Sequence, residues 1–220
     1  MNNKLLAEII RLNREKVPFC TVSKIEEDQV EIVPLNRSDK SGIQELIMKA
    51  LDEDKLIVVE YEGNETIINP YNTPLNLIIV GAVHISQYLS KIAKLMDFDV
   101  TIIDPREAFA SKERFPNDKV INSWPEDCFS ELNIDNRTAI VTLTHEPNLD
   151  DPAITFAIKS SCFYIGALGS KKTHKNRIER LISLGFSDDD EIKRVNGPVG
   201  LPINASKPNE IAISIMAEII

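Results

Sequence analysis

The chain has 220 residues, of which 43% are hydrophobic and 27% are charged, and its formal net charge is −9. This composition is typical of a globular protein of one or two domains, and its negative charge makes nucleic acid and anionic membrane poor partners. The cysteines Cys20, Cys128 and Cys162 form no CxxC pair, which argues against a disulfide framework and a thiolate zinc site. No signal peptide and no apolar run of about 20 residues is evident, so we expect a cytoplasmic protein.

Residues 1–70 predict a small α+β domain. Apolar residues recur at helical spacing over about 3–15 and 42–52. The predicted strands are Phe19–Ile25, Gln29–Pro34, Leu56–Tyr61 and Thr66–Asn69. The segment Asn69–Pro74 holds two prolines and two asparagines, which is turn chemistry and predicts the domain junction.

Residues 75–220 predict a Rossmann-like domain, because strand and helix patterns alternate. The predicted strands are Leu75–Val80, Val100–Ile103, Lys119–Ile121, Ala139–Leu143 and Cys162–Ile165. Helices are predicted at about 85–96, 150–160, 173–184, 188–195 and 207–219, the last with Ser206 as N-cap and Pro208 in its first turn. This alternation indicates the α/β class, with a doubly wound parallel sheet in the order 3-2-1-4-5.

The turn after the first of these strands, Gly81-Ala-Val-His84, stands where dinucleotide-binding folds carry GxGxxG. Only the first glycine is present, and Val83 replaces the second. Asp104 ends the second strand, 23 positions after Gly81, and is followed by Arg106. An acid at about this interval accepts a ribose hydroxyl in related folds. The alternatives are a tight turn without a ligand and a solvated aspartate.

All three histidines follow predicted strands. His84, His145 and His174 come after the first, fourth and fifth strands of the second domain. Because ligands bind at the carboxyl ends of parallel strands, we expect them beside one crevice. No nucleophile lies close to any of them in sequence, so no catalytic residue is predicted. His84 and His145 lack a nearby third ligand, so no metal site is predicted either.

The turn Gly166–Thr173 predicts an anion site. Gly166 and Gly169 permit close approach of a ligand to the backbone. Ser170, Lys171 and Thr173 belong to the start of the next helix, with Arg177 one turn further on. Backbone amides, the helix dipole and cations together favour a phosphate there. The alternative is a solvated basic helix start, and the spacing of a Walker A loop is absent.

Taken together, the motifs resemble those of the XdhC/CoxI family of xanthine dehydrogenase accessory factors, in order from about Leu75 almost to the end. They are Leu77-Ile-Ile-Val-Gly-Ala-Val-His84, Val100-Thr-Ile-Ile-Asp-Pro-Arg106, Glu113-Arg-Phe-Pro116, Leu143-Thr-His145, Tyr164-Ile-Gly-Ala-Leu-Gly-Ser170, Gly197-Pro-Val-Gly-Leu201 and Glu210-Ile-Ala-Ile-Ser214.

This resemblance implies a molybdenum-cofactor-binding accessory protein, a chaperone that protects the cofactor while it receives its terminal sulfur. The implied partners are a molybdenum hydroxylase such as xanthine dehydrogenase and a cysteine desulfurase, and we expect a homodimer. The pocket would hold molybdopterin without performing bond chemistry on it. Its expected residues are Gly81, His84, Asp104, Arg106, His145, Gly166, Gly169, Ser170, Lys171 and Thr173.

The sequence departs from the family pattern in two places. Val83 stands where family members usually carry the second glycine of GAGH. Residues 1–70 hold neither a GSSPR-like stretch nor a glycine-glycine-cysteine segment. Two alternatives therefore stay open. One is an NAD(P)-binding oxidoreductase or nucleotide-sensing domain, and the other is an interaction-only remnant that has lost its ligand.

Overall fold

The computed structural model describes residues 3–25, 30–35, 42–187 and 190–220. The chain divides into two compact units, Met1–Thr73 and Pro74–Ile220. Within the described part of the chain, no helix combines the length and apolar character needed to cross a membrane.

The first unit is a four-stranded antiparallel sheet with two helices. Its elements are α1 (Asn3–Arg14), β1 (Phe19–Lys24), β2 (Val30–Pro34), α2 (Gly42–Glu53), β3 (Ile57–Tyr61) and β4 (Asn64–Tyr71), with Gln29 of the predicted second strand outside the described residues. The sheet order is β2-β1-β4-β3. Cys20, Ile47, Ala50 and Ile68 are fully buried, so α2 covers one face of the sheet. Strand β4 exceeds its predicted range because it pairs with both β1 and β3.

The second unit alternates strands and helices. Its elements are β5 (Asn76–Val80), α3 (His84–Leu95), β6 (Asp99–Ile103), β7 (Lys119–Ile121), α4 (Pro125–Cys128), β8 (Thr138–Thr142), α5 (Pro147–Lys159), β9 (Tyr164–Ala167), α6 (Lys171–Ser183), β10 (Val195–Asn196) and α7 (Pro208–Ile219). All six strands run parallel in the order β10-β9-β8-β5-β6-β7. The predicted α/β Rossmann-like fold class is thereby confirmed, with a sixth strand added beside the fifth.

Two apolar clusters hold helices on opposite faces of this sheet. Helices α3 and α7 pack on one face through Leu89, Ala93, Ala212 and Ile215. Helices α5 and α6 pack on the other through Ala153, Ile154, Ala157 and Leu181. The sheet is therefore covered on both sides, which explains why β5 and β8 are nearly continuous apolar runs.

The predicted helix at 188–195 is wrong. Residues 188–189 lie outside the described part, and Ile192–Arg194 form a single 3₁₀ turn that leads into β10. Val195 and Asn196 pair with Ile165 and Gly166 of β9. The Arg194 guanidinium donates to the carbonyl oxygens of Ile158, Ser160 and Cys162. These contacts to distant elements outweigh the local helical pattern.

The last helix begins two residues after the predicted cap. Its N-cap is Lys207, with Pro208 as the first helical residue. The Glu210 carboxylate accepts the backbone amides of Ser206 and Lys207, each at 3.0 Å. Glu210 therefore reaches back to the amide of the N-cap residue and to the amide before it, which is the contact that the acid of a capping box makes.

Candidate functional site

The turn after β5 is tightly packed against the turn after β8. Gly81 has a φ of +105°, and a Cβ added there would lie 2.5 Å from Cγ2 of Thr144. A side chain at position 81 is thus excluded by both backbone conformation and space. The close packing explains Gly81 without a ligand, and it brings the segments preceding His84 and His145 into contact.

The Asp104 carboxylate is fully occupied by groups of the protein itself. One oxygen accepts the Ala82 amide at 2.8 Å and Nη2 of Arg106 at 2.7 Å. The other accepts the amide and Nε of Arg106, at 3.0 and 2.8 Å. Burial acts to raise the pKa of Asp104, but these hydrogen bonds hold that pKa below its usual value. The carboxylate therefore offers no open oxygen for a ribose hydroxyl.

The remaining groups of this turn are also paired internally. The Val83 amide donates to Oγ of Ser86 at 3.2 Å, and that hydroxyl donates to the Gly81 carbonyl. Nη1 of Arg114 donates to the Ala82 carbonyl at 2.8 Å. Val83 itself packs against the core cluster on the α3 side. The amides of Gly81, Ala82 and Val83 are thus bonded within the protein, whereas the first amides of α3, at His84 and Ile85, have no acceptor within the helix.

The turn between β9 and α6 is more open. Gly169 has a φ of +154°, in which side chains are disfavoured. Ser170 caps α6, since its Oγ accepts the Thr173 amide at 3.1 Å. Lys171 and Lys172 are the first two residues of α6, so their amides have no acceptor within the helix. Gly166 lies within β9, and a Cβ there would lie 2.5 Å from Cγ2 of Val199.

A cavity of about 280 Å³ lies between the starts of α5 and α6. The side chains that line it are mostly basic or polar. They are His145, Pro147, Asp150, Lys172, Thr173, Asn176, Arg177 and Arg180. Of the residues predicted for the site, His145 and Thr173 therefore share this cavity.

Asp150 and Arg177 form an incompletely hydrogen-bonded pair in the wall of this cavity. Each side chain is 1% exposed, and Oδ2 of Asp150 lies 3.5 Å from Nη2 of Arg177. Nη2 donates to the Leu168 carbonyl at 3.0 Å. Nε and Nη1 of Arg177 and Oδ2 of Asp150 have no hydrogen-bond partner. Burial raises the pKa of Asp150 and lowers the pKa of Arg177.

Buried polar atoms without a partner concentrate at this edge of the sheet. Across the described ranges, the atoms involved are Thr142 Oγ1, Asp150 Oδ2, His174 Nδ1, Arg177 Nε and Nη1, and Asp118 Oδ1. Thr142 lies on β8 and the next three residues lie in α5 and α6, whereas Asp118 Oδ1 lies elsewhere and has an ion-pair partner, Nζ of Lys94, at 3.2 Å. Since buried polar groups are normally satisfied, Asp150 and Arg177, which also line the cavity of about 280 Å³, are the candidates for contact with a ligand.

The histidines lie at one edge of the sheet in three different environments. His84 is exposed as the first residue of α3, and His145 is exposed at the cavity with a φ of +64°. His174 is half-buried, and a Cβ on Gly197 would lie 2.0 Å from its Nδ1. Among the described residues, no group of three metal-ligating side chains occurs.

A second cavity, of about 450 Å³, lies on the other side of the β9–α6 turn. Glycines and apolar residues dominate its walls. These are Leu168, Gly169, Val199, Gly200, Leu201, Pro202, Asn204, Ala205, Ile211 and Ser214. The β9–α6 turn therefore borders both cavities, with Gly169 facing one and Thr173 the other.

Comparison with known proteins decides the family. Residues 77–219 match the model of the XdhC Rossmann domain. The chain belongs to the XdhC family. The expected resemblance is thereby confirmed.

Two named relatives are similar to parts of the chain. A protein named as a probable xanthine dehydrogenase subunit of Bacillus subtilis (strain 168) is 36% identical over 145 residues, which are 66% of this chain and 42% of that protein. "Molybdenum cofactor insertion chaperone PaoD" of Escherichia coli (strain K12) is 37% identical over 90 residues, 41% of this chain and 28% of that protein. The chain thus spans less than half the length of these relatives.

A crystal structure described as a xanthine dehydrogenase from Bacillus halodurans has the same fold. It superposes with a TM-score of 0.61 at 21% identity, covering 98% of this chain and 78% of that one.

Sequence reasoning missed part of the cavity of this XdhC domain. Asp150, Asn176 and Arg180 carry no motif, and only the packing of α5 against α6 brings them to the cavity. The signal that could have found Asp150 is its position, because it lies in the first turn of a helix that directly follows a strand. His84, Asp104 and Arg106 do not line this cavity.

Proposed function

We propose that this chain binds molybdenum cofactor and passes it to a molybdenum hydroxylase such as xanthine dehydrogenase. Membership of the XdhC family supports this proposal, as does similarity to a relative named as a molybdenum cofactor insertion chaperone. The matched regions cover less than half of each relative, so the similarity does not identify the target enzyme, and we name that enzyme only as part of this proposal. We also propose that the protein has a cysteine desulfurase as a partner, forms a homodimer and is located in the cytoplasm.

The observation that carries the proposal is the pair of buried side chains, Asp150 and Arg177, that line one cavity and keep polar atoms without a hydrogen-bond partner. Molybdopterin is flat, polar and phosphorylated, so it offers both hydrogen-bond acceptors and donors. Arg177 and Asp150 present unpaired donors and an unpaired acceptor at one cavity. The exposed Lys172 adds a cation, and the first amides of α6 favour an anion. The residues present therefore fit such a cargo.

The site favours a holding role over catalysis. The cavity contains no cysteine or serine that a base could activate. All three cysteines are buried, and burial raises the pKa of each thiol, which disfavours the reactive thiolate. The cofactor supplies molybdenum redox chemistry to the hydroxylase that receives it. In this chain, Arg177, Lys172 and Asp150 would bind and orient it.

The NAD(P) alternative loses its main support at the first turn. Asp104 is saturated by Arg106 and Ala82, and the Val83 amide is bonded to Ser86. A ribose hydroxyl would have to displace the bonds of Asp104, and a pyrophosphate would have to displace the bond of the Val83 amide. We therefore favour the cofactor-holding function.

The test is direct retention of the cofactor. The purified chain is incubated anaerobically with molybdenum cofactor released from a hydroxylase, and the mixture is separated by gel filtration. We expect molybdenum and oxidised-pterin fluorescence to co-elute with the protein in near-equal amounts. The loaded fraction should then activate cofactor-free xanthine dehydrogenase better than free cofactor does. A folded protein that retains no cofactor, or that instead binds NAD(H) or NADP(H) at micromolar concentration in calorimetry, would contradict the proposal.

A further inference from the structure

The polar atoms of Asp150 and Arg177 determine which hydrogen-bonding groups a ligand must bring to the cavity of about 280 Å³. Oδ1 of Asp150 accepts the Thr144 hydroxyl at 2.7 Å, while Oδ2 has no donor. Nη2 of Arg177 donates to Leu168, while Nε and Nη1 have no acceptor. A ligand that satisfies this wall must donate to a carboxylate and accept from a guanidinium.

The unpaired groups are difficult to explain as contributions to folding. Both side chains are 1% exposed, and their nearest charged atoms are 3.5 Å apart. Burying a charge costs several kcal/mol, which attraction repays only when the remaining hydrogen bonds are made. Here they are not made within the protein. Such a cost is retained where a ligand completes the hydrogen bonds.

A simple oxyanion matches only half of this wall. It would accept from Arg177 but would face the Asp150 carboxylate, whose Oδ2 would stay unpaired. The 2-amino-4-oxopyrimidine edge of a pterin matches both halves. Its amino group and ring N–H donate, while its oxo group and ring nitrogen accept. The cavity of about 280 Å³ is slightly smaller than a typical ligand pocket of roughly 300–1,000 Å³, so it suits one end of a cofactor.

We propose that this cavity binds the pyrimidine edge of a pterin, with Asp150 as hydrogen-bond acceptor and Arg177 as donor. The inference rests on the proposed cofactor-binding function, because the pterin is the organic part of molybdenum cofactor. Lys172 lines the same cavity and is exposed, so it can reach the phosphorylated end of the ligand. The geometry thus assigns the two ends of the cargo to different side chains.

The test uses pterin itself, titrated into the full chain and followed by quenching of its fluorescence. We expect saturable binding to the natural protein. Asp150→Asn should weaken it about tenfold or more, because a charged hydrogen bond contributes about 1.5–3 kcal/mol. Asp118→Asn is the matched control, since Asp118 is also buried and accepts a hydroxyl, that of Ser90 at 2.5 Å, but does not line the cavity. It should leave the affinity unchanged.

A change in the ligand tests the same contact without altering the fold. Lumazine carries an oxo group where pterin carries the 2-amino group, so it places an acceptor against Asp150. We expect lumazine to bind the natural protein about tenfold more weakly than pterin, in line with the loss of one charged hydrogen bond. Equal binding of the two compounds would overturn the proposal.

Inorganic phosphate separates the pterin edge from a simple anion site. Under our proposal, phosphate does not displace pterin from the cavity, and Asp150→Asn weakens pterin binding. In an anion site, removing the carboxylate would strengthen phosphate binding, and pterin would not bind. Retention of molybdenum cofactor distinguishes failure of the pterin assignment from failure of the proposed chaperone function. Full retention by Asp150→Asn would overturn the pterin assignment alone, whereas pterin binding without cofactor retention would count against the chaperone function.

Discussion

Two aspartate–arginine pairs lie at the same edge of the parallel sheet and differ in how completely they are bonded. In the first, Asp104 accepts four hydrogen bonds from Arg106 and Ala82. In the second, Asp150 and Arg177 are both buried, and three of their polar atoms have no hydrogen-bond partner. A satisfied pair stabilises the fold, whereas an unsatisfied one keeps its hydrogen-bonding capacity for a ligand.

The difference has a structural cause. Arg106 is two residues from Asp104 and is 33% exposed, and Nη1, the guanidinium nitrogen that Asp104 does not bind, donates to Glu146 at 3.0 Å. Arg177 extends from α6 toward Asp150 on α5, and neither side chain reaches solvent. Resemblance to a nucleotide-binding turn is therefore a poor guide to the site. The cavity lined by Asp150 and Arg177 is the ligand site that we propose instead.

The substitution that we expect to reduce stability most removes the fully hydrogen-bonded pair of Asp104 and Arg106. Asp104→Ala leaves the buried Ala82 amide without its acceptor and removes the buried partner of Arg106, which then keeps only Glu146 as an acidic partner. We expect the free energy of unfolding to fall by about 4 kcal/mol, measured by urea denaturation. Asp127→Ala, at an exposed aspartate, is the control and should change it by less than about 0.5 kcal/mol. A similar small loss for Asp104→Ala would remove the distinction between the two pairs.

The next effect concerns the close contact between the turns after β5 and β8. Gly81→Ala combines a positive φ with a Cβ 2.5 Å from Thr144, so we expect a loss of about 3 kcal/mol. Gly185→Ala is the matched control, because Gly185 has a φ of +93° and no atom within 4 Å of its Cβ position. It should cost about 1 kcal/mol. Equal losses in thermal or urea unfolding would show that the contact with Thr144 is unimportant.

A smaller effect is expected when the unsatisfied pair is replaced. The double variant Asp150→Asn with Arg177→Met removes both buried charges while retaining similar side-chain volume. Because the pair is poorly hydrogen-bonded, we expect the free energy of unfolding to change by no more than about 1 kcal/mol. The same variant should lose molybdenum cofactor retention. A large loss of stability with unchanged retention would mean that this pair, like Asp104 and Arg106, serves the fold.

The smallest effect is the pH dependence that His174 introduces. Burial, and then the nearby Arg177 charge, lower the pKa of His174 from its ordinary value of 6.5. The folded chain therefore binds a proton less readily than the unfolded chain, so stability is lost as the pH falls from 6.5 toward the lowered pKa. His174→Gln should reduce this loss, and an NMR titration should give His174 a midpoint below 6.5. A midpoint above that value would contradict the burial argument.

Much of the fold was predictable from local patterns. The apolar run Leu77–Val80 and the alternating helices indicated a parallel sheet covered on both faces, and ordered motifs indicated the XdhC family. The wrong prediction is the helix at 188–195, which overlaps the start of β10. That strand forms by pairing of Val195 and Asn196 with β9. A two-residue strand has too little periodicity of its own to be recognised, because its partner lies some thirty positions away in sequence.

Local patterns and ordered motifs were enough to predict the fold class, the family and the edge of the sheet where the histidines follow the strands. Which polar groups at that edge are hydrogen-bonded depends on how the elements pack together. Arg106 reaches Asp104 from two positions away, so local geometry suffices to close that pair. The cavity holding Asp150 and Arg177 depends on how α5 and α6 pack on the sheet. Hydrogen-bond satisfaction is a property of the assembled neighbours, which no local pattern specifies.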